Sequence, residues 1–274
     1  MPFEFVDRVP TKLGRVKITP ENGGTPYYAV VERADEPAVA GSPLSAANLN
    51  AAQENLVYRS TTSCSTWKSV YLAPSGNDNN PGTAASPMKT IKGAIRKYAK
   101  WHKCMDIYLA DGTYTEDIGQ IATDQCALSI RSTSENRASV IINIPTMIDS
   151  YLPYFRLSNL TINMTDDDTR AIAINAGSLY MSNVRVNMPA ASIANCVNIH
   201  TGASAVLIDC IINAESGTGV YSSNGLYVRA ANCTSTTSVR RGFWAANYAT
   251  VYYTPTLTAT NMTYESAGGK CVAL

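Results

Sequence analysis

Short runs of alternating apolar and polar residues recur along this chain, each cut off by a turn-forming cluster. Arg15-Val16-Lys17-Ile18-Thr19 alternates, Glu21-Asn22-Gly23-Gly24 reads as a turn, and Tyr27 to Val31 is again β-prone. Pro37, Gly41 and Pro43 then break the chain, and Ser45 is placed to cap a short helix running to about Leu56. A Ser/Thr-rich stretch from Arg59 to Thr66 reads as a linker. Beyond it come the β-prone Val70 to Ala73, a loop from Pro74 to Gly82, and a helix predicted over Met88 to Lys103. In that helix Ile91, Ala94, Ile95 and Tyr98, with Trp101 or His102, form one apolar stripe. Its other face carries Lys89, Lys92, Arg96, Lys97, Lys100 and Lys103 and no acid.

The remainder repeats. Asn159-Leu160, Asn183-Val184, Asp209-Cys210, Asn232-Cys233 and Asn261-Met262 each join an amide or carboxylate to an apolar residue, at steps of 24, 26, 23 and 29 residues. Four matching turns lie between them: Asn175-Ala-Gly-Ser, Thr201-Gly-Ala-Ser, Ser223-Asn-Gly and Asn247-Tyr-Ala-Thr. Short alternating runs flank each turn, such as Ile172 and Ile174 before the first and Leu179 and Met181 after it. Two or three short strands per period fit a parallel β-helix, in which each coil bonds to the next at about 4.8 Å. Asn can stack at the corners of such a coil. A leucine-rich repeat would need Leu at fixed spacings, which these repeats lack. A transmembrane barrel would place its turns after strands of about ten residues.

Composition narrows the function. Charged residues are only 16% and hydrophobic residues 45%, while 24 Ser, 27 Thr and 21 Asn supply the missing polarity. That balance disfavours disorder and charge-rich helical bundles. A net charge of +1 gives no global drive onto nucleic acid or a membrane surface. The start carries Glu4 and Asp7 and no apolar signal core, and no run reaches the roughly 18 apolar residues of a membrane span. Seven scattered cysteines without paired spacing predict reduced thiols in a protein made in the cytoplasm.

Two stretches resemble known families. Val70 to Tyr114 (VYLAPSGNDNNPGTAASPMKTIKGAI, then DIYLADGTY) resembles the opening turns of pectate-lyase-like right-handed β-helices, which recur in phage tail spikes and secreted polysaccharide enzymes. Leu157-Ser158-Asn159-Leu160-Thr161-Ile162 is similar to the later coils of that fold. The resemblance implies an all-β, right-handed parallel β-helix of about 6–7 coils over residues 70–274. The helix at Thr90 to Ile95 would cap its top, and Ile107 to Tyr114 would be the first full coil. The amino-terminal segment (RVPTKLGRVKITPENG, then VERADEPAVAGSPLSAANLN) resembles tail-fibre or baseplate-associated proteins of phages and prophages. It implies a small mixed attachment module over residues 1–58, with Arg15, Lys17, Tyr27 and Tyr28 as attachment residues and 59–69 as linker.

Several clusters are candidate sites. Asp166-Asp167-Asp168 could hold Ca²⁺ or supply acid and base, but glycoside hydrolysis needs carboxyls that flank the bond, so a solvated turn is preferred. Asn77 to Asn80 could hold a cation, yet in the resembling family this loop is a structural turn. Arg131, Arg137, Arg156, Arg170 and Arg185 lie along the coils without fixing a lyase site. His200, the one imidazole in the coils, replaces Asn175 at a turn and reads as a corner residue. The basic helix face could meet anionic glycan, though a solvated face is the simpler reading. The N-x-Thr sequons at Asn159, Asn163, Asn232 and Asn261 carry no meaning inside strands of a cytoplasmically made protein. Cys210 and Cys233 should stack in the core rather than bind metal. Arg240, Arg241, Phe243, Trp244, Tyr248, Tyr252 and Tyr253 are the densest aromatic and basic cluster, suited to sugar or a subunit interface.

The expectation is a phage tail spike or fibre protein of the virion, homotrimeric, docked to other tail or baseplate proteins through residues 1–58. It would adhere to bacterial surface polysaccharide through Arg240, Arg241, Trp244, Tyr248, Tyr252 and Tyr253. No catalytic residue, cofactor or metal is assigned. A polysaccharide depolymerase and a structural baseplate decoration are the alternatives. The coil ending at Cys271-Val272-Ala273-Leu274 lacks a polar cap and is expected to be covered by partners.

Overall fold

A computed structural model describes residues 67–274 other than 100–101, 122–126 and 167–169, together with the strands at 15–18 and 27–30. The chain divides into two compact units, Met1–Ser60 and Thr61–Leu274. In the first, Arg15–Ile18 pairs antiparallel with Tyr27–Val30, and Lys17 stands opposite Tyr28. The predicted helix from Ser45 to Leu56 lies outside the described residues.

The second unit is a right-handed-type parallel β-solenoid of about 7 turns. Each coil visits three sheets in order, of nine, five and seven strands. One coil runs Tyr154–Ser158, Thr161–Met164, Ile172–Ile174, and the chain then rejoins the first sheet at Ser178–Ser182. Pairing is parallel and in register, so like positions stack. Leu128, Phe155, Leu179 and Ala205 form one inward file, and Ile142, Ile162, Val186 and Ile212 another. All eight are buried. The nine-stranded sheet spans eight strand gaps, so the column is about 38 Å tall.

The amide–apolar pairs are corners. Asn159, Asn183, Asp209 and Asn232 each sit at φ between 53° and 57°, turning the chain in a single left-handed residue. Asn and Asp tolerate that conformation better than other residues with a side chain. The residue that follows, Leu160, Val184, Cys210 or Cys233, then points into the core and is fully buried. The amides also bond along the column, Asn183 Nδ2 donating to Asn159 Oδ1 (2.8 Å) and Asn232 Nδ2 to Asp209 Oδ1 (3.2 Å). A second ladder runs down the five-stranded sheet: Asn163 donates to Asn143 (3.0 Å), Asn187 to Asn163 (2.7 Å) and Asn213 to Asn187 (2.7 Å). Asn261-Met262 is not the fifth corner. It lies inside the strand Ala259–Ser266, with Asn261 opposite Arg241. The chain passes that corner at Thr254, whose Oγ1 accepts from the Asn232 amide at 2.6 Å. The turns at Gly177, Gly202, Asn224 and Asn247 also have positive φ and join the seven-stranded sheet to the nine-stranded one.

The capping helix is shorter than predicted, Ile91–Tyr98. Met88 is held instead as a strand residue, its amide donating to Tyr71 O (2.9 Å) and its carbonyl accepting from Ala73 N (2.9 Å). Thr90 caps the helix by accepting from Gly93 N. Two carboxylates complete the cap. Asp78 accepts from the amides of Lys89 (3.0 Å) and Thr90 (2.8 Å), and Glu116 from those of Ile91 (2.9 Å) and Lys92 (3.0 Å). The Asn77 to Asn80 loop therefore spends its acid on the helix. Its carbonyls at Asp78, Asn79 and Asn80 already face a cation, the Lys97 ammonium (3.3, 3.2 and 2.6 Å). Lys92 pairs with Asp117 at 3.7 Å. Part of the basic face thus holds the cap in place. Among the described residues one thiol departs from expectation, since Cys104 is disulfide-bonded. Cys196, Cys210 and Cys233 are free and buried.

The corner account makes a contrast testable. Asn183→Ala should lose the ladder bond and strain the left-handed residue, costing about 1–2 kcal/mol and a few degrees of Tm. Asn183→Gly should recover roughly half of that loss, because Gly adopts positive φ freely. Thermal unfolding followed by circular dichroism measures both; equal Tm values for the two variants would contradict the account.

Candidate carbohydrate face

Parallel register stacks outward residues as strictly as inward ones. On the seven-stranded sheet this builds one file, Gln120, Asp149, Ala173, Asn198, Tyr221, Trp244 and Tyr264, in which Gln120 and Tyr264 are exposed, Asp149, Tyr221 and Trp244 half-buried, and Ala173 and Asn198 buried. From Asp149 to Tyr264 it crosses five strand gaps, about 24 Å. Its two ends differ in chemistry.

The aromatic end is fixed by edge-to-face packing. Trp244 lies 4.7 Å from Tyr221 at 69° and 5.3 Å from Tyr264 at 87°, centroid to centroid. Its indole nitrogen donates to Ser266 Oγ at 3.1 Å. The Arg241 guanidinium sits 5.0 Å from the Trp244 ring and 4.9 Å from that of Tyr264. Such rings are locked on few rotatable bonds; with the indole N–H committed to Ser266, they keep apolar surface and the two tyrosine hydroxyls for a ligand. Tyr264 is 44% exposed.

The polar end gathers Asp149, Arg170, Asn175, Asn198 and His200. Asn175 Nδ2 donates to Asp149 Oδ1. Asn198 Nδ2 stands 2.8 Å from His200 Nε2. Which of the two groups donates follows the imidazole tautomer. Burial holds the His200 pKa below 6.5, the charge of Arg170 adds to the shift, and Asp149 opposes it. Asn198 is fully buried and its Oδ1 has no partner. The lowered pKa keeps the imidazole unprotonated at neutral pH, the form that can accept a proton from a bound substrate. Among the described residues no group of His, Cys, Asp and Glu is arranged to hold a metal ion.

The residues expected to contact a receptor are dispersed. Arg241 and Trp244 come together. Arg240 is exposed beside them in the same strand. Tyr248, 84% exposed, occupies the next corner with φ 63°. Its ring lies over Gly268, where a Cβ would meet Tyr248 at 2.7 Å. Tyr252 belongs to the nine-stranded sheet, 5.6 Å from Tyr227. Tyr253 packs on the core, its ring 4.7 Å from that of the fully buried Phe243. The side chains of Arg15, Lys17, Tyr27 and Tyr28 lie outside the described residues. Asp166 is exposed after the strand ending at Met164, and Asp167 and Asp168 lie outside the description. Cys210 and Cys233 are core residues, their thiols bonded to the carbonyls of Ile208 and Ala231.

Comparison with known proteins agrees with the fold. Residues 74–122 match a family model described as a protein of unknown function, DUF1565. No curated protein matches the chain. Among solved structures the chain is similar to pectate lyase Pel9A at 15% identity and TM-score 0.52, over 70% of this chain and 54% of that one. A rhamnogalacturonan lyase is similar at 15% identity and TM-score 0.46, over 75% of this chain and 62% of that one. The chain thus spans about half the length of the pectate lyase. The fold is that of the pectate-lyase-like parallel β-helices.

His200 is one of two histidines in the chain, so its titration can be followed directly. Its midpoint should fall below 6.5, and Arg170→Gln should raise it by removing a like charge. NMR of the imidazole carbon-bound protons gives both values. A midpoint unmoved by Arg170→Gln would contradict the electrostatic coupling. By linkage, a lowered histidine pKa means that stability is lost as pH falls through 6.5 toward the folded value.

Proposed function

We propose that this protein is a glycan-binding β-helical spike of a phage or prophage tail that adheres to bacterial surface polysaccharide. The observation that carries adhesion is the Tyr221–Trp244–Tyr264 file with Arg241 beside it. Aromatic rings and a guanidinium gathered across three strands offer apolar and charged surface to a polysaccharide lying along the sheet. Toward the polar end of the file the half-buried His200 and Asp149 supply imidazole and carboxylate partners for sugar hydroxyls. The tail assignment is supported by the amino-terminal resemblance to tail-fibre and baseplate-associated proteins, and residues 1–58 would dock to the particle. Three copies around one axis would close a ring and multiply weak contacts into firm attachment.

A second reading has its own observation. Asp149 stands on the same file as the aromatic cluster, and His200 and Arg170 are electrostatically coupled to one another beside it. Both similar solved structures are named as lyases. On this reading the face would cleave the glycan it binds, with His200 as proton acceptor.

One experiment separates these readings. Purified surface polysaccharide of the host is titrated into the intact protein, and the supernatant is assayed for released oligosaccharide. Adhesion predicts binding without release, and Trp244→Ala should weaken it by about tenfold or more. Release that is lost in His200→Gln would establish the depolymerase. Failure to bind any envelope fraction, with particle assembly intact, would leave a baseplate decoration.

A further inference from the structure

The nine-stranded sheet carries a second stack on its outer surface. Tyr71, Tyr108 and Arg131 share one register file. The two tyrosine rings lie 4.9 Å apart at 14°, and the Arg131 guanidinium sits 4.4 Å from the Tyr108 centroid. The next residue in that file is Ser158. A run of large planar groups therefore stops at Arg131, and the small side chain below it leaves a groove of about 340 Å³. Ser158 forms its floor, and Arg131, Arg156, Glu135 and Asn159 line it.

The charges in the groove are unevenly matched. Arg131 is paired with Asp106 at 3.1 Å and bonded to the Tyr108 hydroxyl. Arg156 is held in place without being neutralised. Its Nε donates to Ser158 Oγ at 3.0 Å, and its guanidinium lies 5.4 Å from the Tyr180 centroid. Among the described residues no carboxylate comes within ion-pair distance of it. Its two terminal nitrogens are left to face the groove or solvent. Arg131 Nε is buried and has no acceptor. Glu135 is exposed at the rim in a left-handed conformation, φ 58°, and can accept from hydroxyl groups.

We propose that this groove binds a saccharide or polyol unit bearing one negative charge, either a carboxylate or a phosphodiester. The anion is taken by the Arg156 guanidinium, whose planar fork suits both groups. The body of the unit lies against Arg131 over Ser158, and its hydroxyls reach Glu135 and Asn159. This site is separate from the adhesion face, on another sheet and with no residue in common.

The test uses the full chain and three probes: methyl glucuronide, glycerophosphoglycerol and methyl glucoside, titrated with ligand-observed NMR. At least one of the two anions should bind about tenfold or more tightly than the uncharged glucoside. Whichever does so identifies the source of the charge. Arg156→Gln should reduce that anion to the level of the glucoside, and Ser158→Phe, which fills the floor, should remove binding altogether. Because Ser158 is buried, circular dichroism must first show Ser158→Phe folded; if it is not, the half-buried Arg156→Gln variant decides alone. Trp244→Ala should leave anion binding unchanged, so failure of the adhesion face and failure of this groove are told apart. Equal binding of all three probes, no binding of either anion, or a preference retained in Arg156→Gln would overturn the proposal.

Discussion

The backbone hydrogen bonds between coils, about 4.8 Å apart, constrain everything else in this protein. A coil can satisfy its amides only by copying the path of the coil before it. Each corner must therefore turn at the same place, which puts Asn159, Asn183, Asp209 and Asn232 in one left-handed line. Each residue after a corner must then enter the core. The same copying aligns Asn143, Asn163, Asn187 and Asn213 so that every amide meets the next. Half-buried amides in such a ladder satisfy one another, which removes the desolvation cost that each would otherwise carry.

Copying also acts on the outside. Residues about one coil apart in sequence become neighbours in a file, so a flat functional surface arises from register. Tyr221, Trp244 and Tyr264 meet because Val220, Phe243 and Thr263 are paired beneath them. The column behind the face is continuous core, which fixes ring positions before any ligand arrives. The nine-stranded sheet shows the converse. Where a large residue is followed in its file by a small one, as Arg131 is by Ser158, the stack ends and a groove opens.

The column and most of its corners were legible in the sequence, because one residue type at one spacing marks each turn. Asn261 misled because it has the right dipeptide in the wrong place; the corner above it is turned at Thr254, which carries no such signature. Arg241 and Trp244 were found by local density, while Tyr252 and Tyr253, equally dense, were sent to another sheet and to the core. Tyr221 and Tyr264 were missed because they lie about one coil away from Trp244, and only the register brings them to it. The helix was overextended because apolar periodicity cannot see that Met88 is engaged by Tyr71 and Ala73 in a strand pairing. The Cys104 disulfide was missed because the scattered cysteines show no paired spacing.

The most direct measurement is a crystal structure of the protein with an oligosaccharide of a bacterial surface polysaccharide. The account predicts a sugar chain lying along the seven-stranded sheet, with rings against Trp244 and Tyr264 and the chain directed toward His200. A bound chain that left this file bare and lay across the five-stranded sheet or on the amino-terminal unit would contradict it.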